Sequence, residues 1–429
     1  MSQAISRVRG MYDVLPDQTW QWQRAENIMR RLFQQYGYRE IRFPIVEKTA
    51  LFCSAIGEVT DIVEKEMYTF SDRKGESLSL RPEGTAPCVR ALIQNNLMAS
   101  GPQKLWYSGP MFRYERPQKG RNRQFQQVGV EYFGNPGPQA DAEILILGQR
   151  LWKELGLDAQ AHPVRLEINS LGTAESRGRY REALIGYLEG HKDLLDEDAK
   201  RRLYSNPLRI LDSKNPLMQD LIAQAPLLRD FLDQESLRHH EQLKHLLDAA
   251  GVEYVENPRL VRGLDYYGKT VFEWISDDLG AQGTICGGGR YDTLVERQGG
   301  KPTPAVGFAL GLDRLLLLIE TLGLWQAEPL ADIYLVSEAG VDAAEVFALA
   351  ESLRTALPQQ RVIQNLEGGS FKAQFRKADR SGAEFAVILG ERELAEGVVS
   401  VKALKNRDLP QQQISRKELP RFLCENLKK

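Results

Sequence analysis

The sequence predicts an α+β chain: a strand-bearing body, interrupted by a helical stretch, followed by a smaller α/β module. Three observations predict it. Residues 113–131 alternate in character with period two on either side of a basic turn, the mark of a hairpin. From about Leu171 to Ala250 strand-like runs vanish and leucine recurs at helical spacing, through Tyr180–Leu188, Pro216–Ala223 and Ser236–Leu247. Beyond a linker near Trp325 to Pro329, short apolar runs alternate with helical patterns, as in a small module with a partly parallel sheet.

The elements follow in order. Residues 17–36 read as a helix, with Asp17 after Pro16 at its start and Gly37 past its end. Tyr38 to Val46 reads as a strand ending near Pro44. Leu78 to Leu80 is a short strand running into Arg81-Pro-Glu-Gly-Thr-Ala, and a helix follows from Ala86 to about Leu97. In the hairpin, Arg113 and Glu115 share a face of the first strand, opposite Phe112 and Tyr114. The loop from Arg116 to Gln124 contains the turn residues Pro117 and Gly120. On the second strand Phe125, Gln127, Gly129 and Glu131 share a face, opposite Val128, Val130 and Tyr132. The helical stretch 171–250 is broken at Asn206-Pro207 and Asn215-Pro216, and is read as an insertion into a body spanning 1–325. Strand patterns resume from Val252 to Val306. Gly311 to Leu322 is a helix with leucine on every side, which implies burial. The module, 330–429, carries strand patterns at Asp332–Val336, Arg361–Gln364, Phe385–Leu389 and Val398–Val401, and helical patterns at Ala343–Leu357 and Phe371–Ala383.

Composition narrows the class. A chain of 429 residues suggests about three domains. Hydrophobic residues at 42% and charged residues at 27% fit a globular chain in water. No run approaches a membrane span, and the first ten residues lack an apolar export signal. Four widely spaced cysteines form no Cys-x-x-Cys pair, which fits a reducing, cytoplasmic setting and argues against a zinc site. A net charge of −2 excludes a generally basic nucleic-acid binder but leaves room for a local basic patch. All five histidines lie between His162 and His245, outside every motif below, which speaks against histidine-based acid–base catalysis. His239, His240 and His245 read as a helix face rather than a metal site.

Several constellations point to chemistry. One hairpin face combines Arg113, two carboxylates (Glu115, Glu131), the amide of Gln127 and the ring of Phe125, a surface suited to a charged, planar-ringed ligand such as a nucleotide. Arg262 with Asp265, Tyr266 and Tyr267 suits a small polar ligand that also carries an anion. Gly287-Gly-Gly-Arg-Tyr-Asp292 lets backbone pass close to a ligand. Arg314, at the head of an apolar helix, is costly to bury unless an anion meets it; pairing with Asp313 or Asp292 is the structural alternative. Glu83 and Thr85 can take an ammonium group between them. Gly263 to Thr270 matches a P-loop pattern, but Val271-Phe-Glu-Trp-Ile275 favours a strand where that loop needs a helix.

Taken in order, Arg81-Pro-Glu-Gly-Thr, Phe112-Arg-Tyr-Glu-Arg-Pro-Gln, Arg262-Gly-Leu-Asp-Tyr-Tyr, Gly288-Gly-Arg-Tyr-Asp and Gly311-Leu-Asp-Arg-Leu resemble the histidyl-tRNA synthetase family, of class II. The N-terminal Arg9-Gly-Met-Tyr-Asp-Val-Leu-Pro16 is similar too, and the likeness covers essentially the whole chain. The resemblance implies an antiparallel catalytic sheet flanked by helices, a homodimer, a C-terminal anticodon-binding domain, and ATP-dependent activation of histidine followed by transfer to tRNA(His). It implies that Arg113 holds the α-phosphate, Arg262 bridges it to the substrate carboxylate, and Arg121 and Arg314 clamp the outer phosphates, with Phe125 stacked on adenine and Glu115 near its amino group. Glu83, Thr85 and Gln127 would hold the α-amino group. Glu131 and Tyr267 would read the imidazole nitrogens, with Tyr266 and Tyr291 closing the pocket. Mg2+ would arrive with ATP, with no dedicated protein metal site. Gln118 and Arg123 would meet the tRNA acceptor end, and the helical insertion its arm. Phe371 to Arg380 offers a basic helix face toward the anticodon. Two alternatives stay open: a non-catalytic relative that regulates histidine biosynthesis, and an RNA-binding protein with a decayed site.

Overall fold

The computed structural model describes residues 5–57, 60, 62–158, 164–211, 213, 215–262, 264, 266–406 and 408–427. They fall into two units, Met1–Trp325 and Gln326–Lys429. Among the described residues, no helix is long and apolar enough to cross a membrane.

The first unit holds strands β1 (Arg39–Glu40), β2 (Val46–Lys48), β3 (Thr69–Ser71), β4 (Ser77–Leu80), β5 (Gln103–Phe112), β6 (Gln124–Phe133), β7 (Arg165–Ser170), β8 (Val255–Glu256), β9 (Gly268–Ile275), β10 (Thr284–Arg290) and β11 (Ala305–Gly311). Eight of them form one sheet in the order β1-β5-β6-β11-β10-β9-β7-β8. Its inner neighbours run antiparallel. The two-residue edge strands β1 and β8 pair in parallel with β5 and β7. A separate small sheet has the order β2-β4-β3.

Alternation divides the large sheet's faces. Trp106, Val128, Val130, Phe272, Trp274 and Phe308 point into one core, covered by helices Pro16–Gln35, Pro138–Leu155, Gln234–Ala249 and Leu312–Thr321. Tyr107, Phe133 and Val271 join a second cluster with helices Thr49–Ile56 and Thr85–Gln94 and with Tyr180, Leu184 and Leu188 of the helix Ala174–Glu189. Helices of the 171–250 stretch start where the chain supplies caps. Thr173, Asp196 and Asp233 accept from the N–H groups of Ser176, Ala199 and Ser236 at 3.3, 2.8 and 2.8 Å, each cap contributing about 1 kcal/mol.

Some elements differ from expectation. Tyr38–Val46 is not one strand: Pro44 denies the ladder a donor, and pairing is confined to β1 and, past the proline, β2. The helix expected to run from Ala86 to Leu97 spans Thr85–Gln94, then gives way to a 3-10 turn at Leu97–Ser100. A helix absent from the expectations, Pro138–Leu155, packs most of its surface against the sheet and other helices and leaves only a narrow polar stripe through Gln139, Glu143, Arg150 and Lys153.

The second unit carries β12 (Ile333–Ser337), β13 (Val362–Gln364), β14 (Phe385–Leu389), β15 (Val398–Ala403) and β16 (Gln412–Ser415) in the order β13-β12-β14-β15-β16. The first three run parallel and the last two antiparallel. Helices Ala343–Ala356 and Phe371–Ser381 supply the crossovers. The helix Leu419–Asn426 adds Leu419 and Leu423 to the core.

Arg290, which closes β10, is fully buried and ties the first unit together. Its guanidinium donates to the carbonyls of Asn135 and Gly137, both at 3.0 Å, and to Asp292 at 3.1 Å. It also donates to Asp141, at 3.3 Å from Nε and again from Nη2. His239 approaches the same carboxylate at 3.4 Å. Burial pushes the Asp141 carboxyl up, but Arg290 and His239 outweigh it and hold it at about 2. Arg290→Ala should leave that carboxylate buried without its guanidinium and lower unfolding stability by roughly 3–5 kcal/mol. Urea denaturation measures this; a loss under about 1 kcal/mol would show that the knot is not stabilising.

Candidate active site

The hairpin is shorter than its alternation implies. The β5 strand ends at Phe112 and β6 starts at Gln124, so Arg113 through Arg123 is loop. Arg113 N–H still donates to the Arg123 carbonyl at 2.9 Å, but the next donor, Glu115 N–H, turns back to the Arg113 carbonyl at 2.8 Å and ends the ladder. Tyr114, expected on the apolar face, is therefore 55% exposed. Its ring meets Tyr68 edge-on at 5.6 Å and lies 3.7 Å beneath the Arg123 guanidinium. The β6 strand keeps the expected facing: Val128 and Val130 are core, while Gln127 and Glu131 sit on the opposite face and are buried rather than solvated.

That face floors a cavity of about 240 Å³. Eleven of the candidate residues line it: Glu83, Thr85, Arg113, Glu115, Arg121, Phe125, Gln127, Arg262, Tyr266, Tyr267 and Arg314. Four do not. Glu131 and Tyr291 lie behind the wall, each 1% exposed. Gln118 and Arg123 lie in the loop outside the cavity, where Gln118 bridges to Arg121. Asp265 lies outside the described residues.

Beneath the cavity is a buried polar layer. Both oxygens of Glu83 cap the helix Thr85–Gln94, accepting from the N–H groups of Thr85 and Ala86 at 2.7 and 2.8 Å. Gln127 Oε1 accepts from Gly84 N–H at 3.0 Å. Glu131 accepts from three hydroxyls: Thr85 at 2.8 Å, Tyr107 at 3.3 Å, and Tyr291. Burial pushes its carboxyl up to about 8; the Tyr291 and Thr85 hydroxyls pull against this and the nearby Glu83 carboxyl adds to it. Burial also raises Glu83, opposed by its backbone donors. Tyr107 was not singled out from the sequence. Its ring fills the space that a Cβ at Gly84 or Gly129 would occupy, and those glycines were the available signal.

The opposite wall is basic. Arg113 donates to the Pro82 carbonyl at 2.8 Å and stands 5.2 Å over the Phe125 ring. Arg121 pairs with Glu115 at 2.9 Å. Arg262 pairs with Glu273, whose other oxygen accepts from Thr284 at 2.8 Å. Arg314 donates to the Thr284 carbonyl at 2.6 Å. Burial lowers the proton affinity of Arg314, and the charges of Arg121 and Arg113 lower it further. Its expected structural partners are engaged elsewhere: Asp313 accepts from Tyr12 and from Gln126 N–H, and Asp292 from Arg290. Glu273 went unnoticed in the sequence, although a lone carboxylate inside Val271-Phe-Glu-Trp-Ile275 was a usable sign. Of the three glycines at 287–289, Gly287 faces the cavity under Arg262, and a Cβ on Gly288 would come within 2.7 Å of Phe308 Cα on β11. Lys269 and Thr270 begin β9, so no helix follows the P-loop-like segment, whose Gly263 and Asp265 lie outside the described residues.

The model of the histidyl-tRNA synthetase catalytic region matches residues 10–315, and that of an anticodon-binding domain matches 333–426. The chain belongs to the histidyl-tRNA synthetase family. The histidyl-tRNA synthetase of S. aureus is 36% identical and superposes with a TM-score of 0.80, covering 98% of this chain and all of that one. The enzyme from Nostoc sp. PCC 7120, at 20% identity, shares the fold at a TM-score of 0.74 over 99% of this chain and 100% of its own. So does an ATP phosphoribosyltransferase regulatory subunit/histidyl-tRNA synthetase from Bacillus halodurans C, at 24% identity and a TM-score of 0.65, over 91% and 99% of the two chains. For this histidyl-tRNA synthetase family member, the large sheet is the class II catalytic architecture and the second unit is an anticodon-binding α/β domain.

The Glu131 layer makes stability depend on pH. A carboxyl raised from its unfolded value near 4.5 to about 8 contributes stability that is fully present below the lower figure and lost as pH rises through the higher one. Glu131→Gln removes that dependence, so the variant should gain on the parent between pH 5 and 8 by up to roughly 4 kcal/mol. Denaturant titrations at several pH values read the difference; parallel stability curves would contradict it.

Proposed function

We propose that the protein is a histidine–tRNA ligase. It joins histidine to ATP, forming histidyl-adenylate and pyrophosphate, then transfers histidine to the 3′ end of tRNA(His). One observation carries the reading: Arg113, Arg121, Arg262 and Arg314 line a single cavity whose floor holds Glu83, Thr85 and Gln127, with Glu131 directly beneath.

Chemistry of this kind needs positioning and charge neutralisation rather than a protein nucleophile. The substrate carboxylate attacks the α-phosphorus, and pyrophosphate leaves. Negative charge is spread over phosphate oxygens, which guanidinium groups match bidentately. Arg113 and Arg262 serve the α-phosphate and the carboxylate, and Arg121 and Arg314 the outer phosphates. Glu115 and Glu273 pair with Arg121 and Arg262. These carboxylates aim the two guanidiniums, and phosphate takes their place. The adenine ring stacks on Phe125, near Glu115. Mg2+ enters on the ATP phosphates; among the described residues no cluster of three metal-ligating side chains offers a separate cage.

Histidine's ammonium group fits between Glu83, Thr85 and Gln127. Its imidazole is read by Glu131 and Tyr267, with Tyr266 and Tyr291 closing the site. Thr85, Tyr107 and Tyr291 bond Glu131, and its Oε2, which among the described residues accepts from Tyr291 alone, keeps acceptor capacity for an imidazole N–H. A site committed to hydrogen-bonding two ring nitrogens rejects side chains without them by about 10⁴ or more. Gln118 and Arg123 lie outside the cavity, as suits contact with the tRNA acceptor end, and the helical stretch 171–250 offers a grip on its arm. The basic helix Phe371–Ser381 suits the anticodon. A homodimer acting in the cytoplasm completes the reading. The regulatory alternative is disfavoured because the cavity arginines are all retained.

Arg262→Ala should abolish histidine-dependent ATP–pyrophosphate exchange while leaving the fold intact; an unchanged exchange rate would refute its role. Glu131→Ala should raise the KM for histidine far more than that for ATP, and equal damage to both would exclude it as the imidazole reader. Exchange assayed against all twenty amino acids should respond to histidine alone.

A further inference from the structure

The N-terminal segment touches the nucleotide end of the cavity from behind. Gly10 carbonyl accepts from Arg123 N–H at 2.7 Å, so the segment braces the loop that carries Arg113 and Arg121. Two residues later, the Tyr12 hydroxyl donates to Asp313 Oδ1. The other oxygen of Asp313 accepts from Gln126 N–H at 2.7 Å, one residue beyond Phe125. The side chain of Asn122 lies close by and favours the charged form of Asp313. A single carboxylate thereby joins three chain segments: the N-terminus, the start of β6 and the first turn of the helix Leu312–Thr321. Arg314 is its immediate neighbour.

The need for such a joint is visible behind the wall. A further cavity of about 290 Å³, lined by Tyr12, Val14, Trp22, Glu26 and Gln126 among others, shares Phe125 and Asp313 with the first. The partition between the two is one side chain thick. Without a tie, Phe125 and the helix start that carries Arg314 have space to retreat into.

We propose that Tyr12 is a positioning residue for nucleotide binding: through Asp313 it fixes Phe125 and Arg314 at the separation that a stacked adenine and an outer phosphate require. The proposal rests on the ATP-dependent reading of the site. Tyr12 touches no substrate in this arrangement. Its effect should fall on ATP and spare histidine, because Glu83, Thr85, Gln127 and Glu131 are held by a different set of bonds.

Tyr12→Phe removes one hydroxyl and keeps the ring in place. Loss of one hydrogen bond to a charged acceptor should weaken Mg-ATP binding by about five- to tenfold. Calorimetric titration of the full chain with Mg-ATP, and separately with histidine, reads both dissociation constants. The expected result is a weaker constant for ATP and an unchanged one for histidine, with the melting temperature retained. Asp313→Asn, made alone and with Tyr12→Phe, completes a double-mutant cycle in which the tyrosine change should lose most of its effect once Asp313 is altered. An ATP constant within twofold of the parent in Tyr12→Phe overturns the proposal. So does a parallel loss for both ligands, the sign of general loosening. A parent protein that binds Mg-ATP but performs no pyrophosphate exchange would refute the ligase reading, while the binding constants still decide the role of Tyr12. A parent that binds no Mg-ATP overturns both.

Discussion

Several large polar side chains in and around this site stand over a glycine, and their burial depends on it. Tyr107 lies against Gly84 and against Gly129, its partner across the β5–β6 ladder. Glu131 lies over Gly307, its partner across β6–β11. Arg262 lies over Gly287 and Arg81 against Gly109. Each of these side chains lies across the backbone of its neighbour rather than beside it, so the position it covers has to lack a Cβ. The antiparallel register therefore does more than form a sheet. It decides which polar groups can sink below the cavity, and a one-residue slip would put a side chain under each of them.

Burial gives these groups their chemistry. Burial in a dry layer pushes the Glu131 carboxyl toward its neutral form, against the pull of the three hydroxyls that donate to it. On the opposite wall burial, and then the charges of Arg121 and Arg113, lower the proton affinity of Arg314, an effect that a nearby anion opposes. The ion pairs of Arg121 with Glu115 and of Arg262 with Glu273 offset part of that charge without extinguishing the positive field. The cavity is thus poised for a polyanion on one side and a neutral or cationic polar group on the other.

The same fold is shared with a protein described as an ATP phosphoribosyltransferase regulatory subunit/histidyl-tRNA synthetase, so architecture alone does not decide activity. Arg290 shows the same for a motif. It stands in the same glycine-rich motif as residues close to the site, yet its partners are Asp141, Asp292 and two carbonyls, and it binds structure to structure.

The sequence by itself determined the α+β class, the hairpin, the inward face of Gln127 and Glu131, the module's alternating pattern and most of the residues that line the cavity. These are local properties: period, turn chemistry, and charges placed where burial would otherwise be costly. Tertiary structure alone decided the rest. Hairpin alternation ran past the point where Glu115 N–H turns back to Arg113, because side-chain period does not record where a ladder ends. The helix Pro138–Leu155 shows only a narrow polar stripe because most of its surface is covered. Glu273, Tyr107 and Asp313 gained their meaning only from partners distant in sequence: across a strand pair, over a glycine, or at the far end of the chain. Such pairings are set by register and packing, and no periodicity within a short window can specify them.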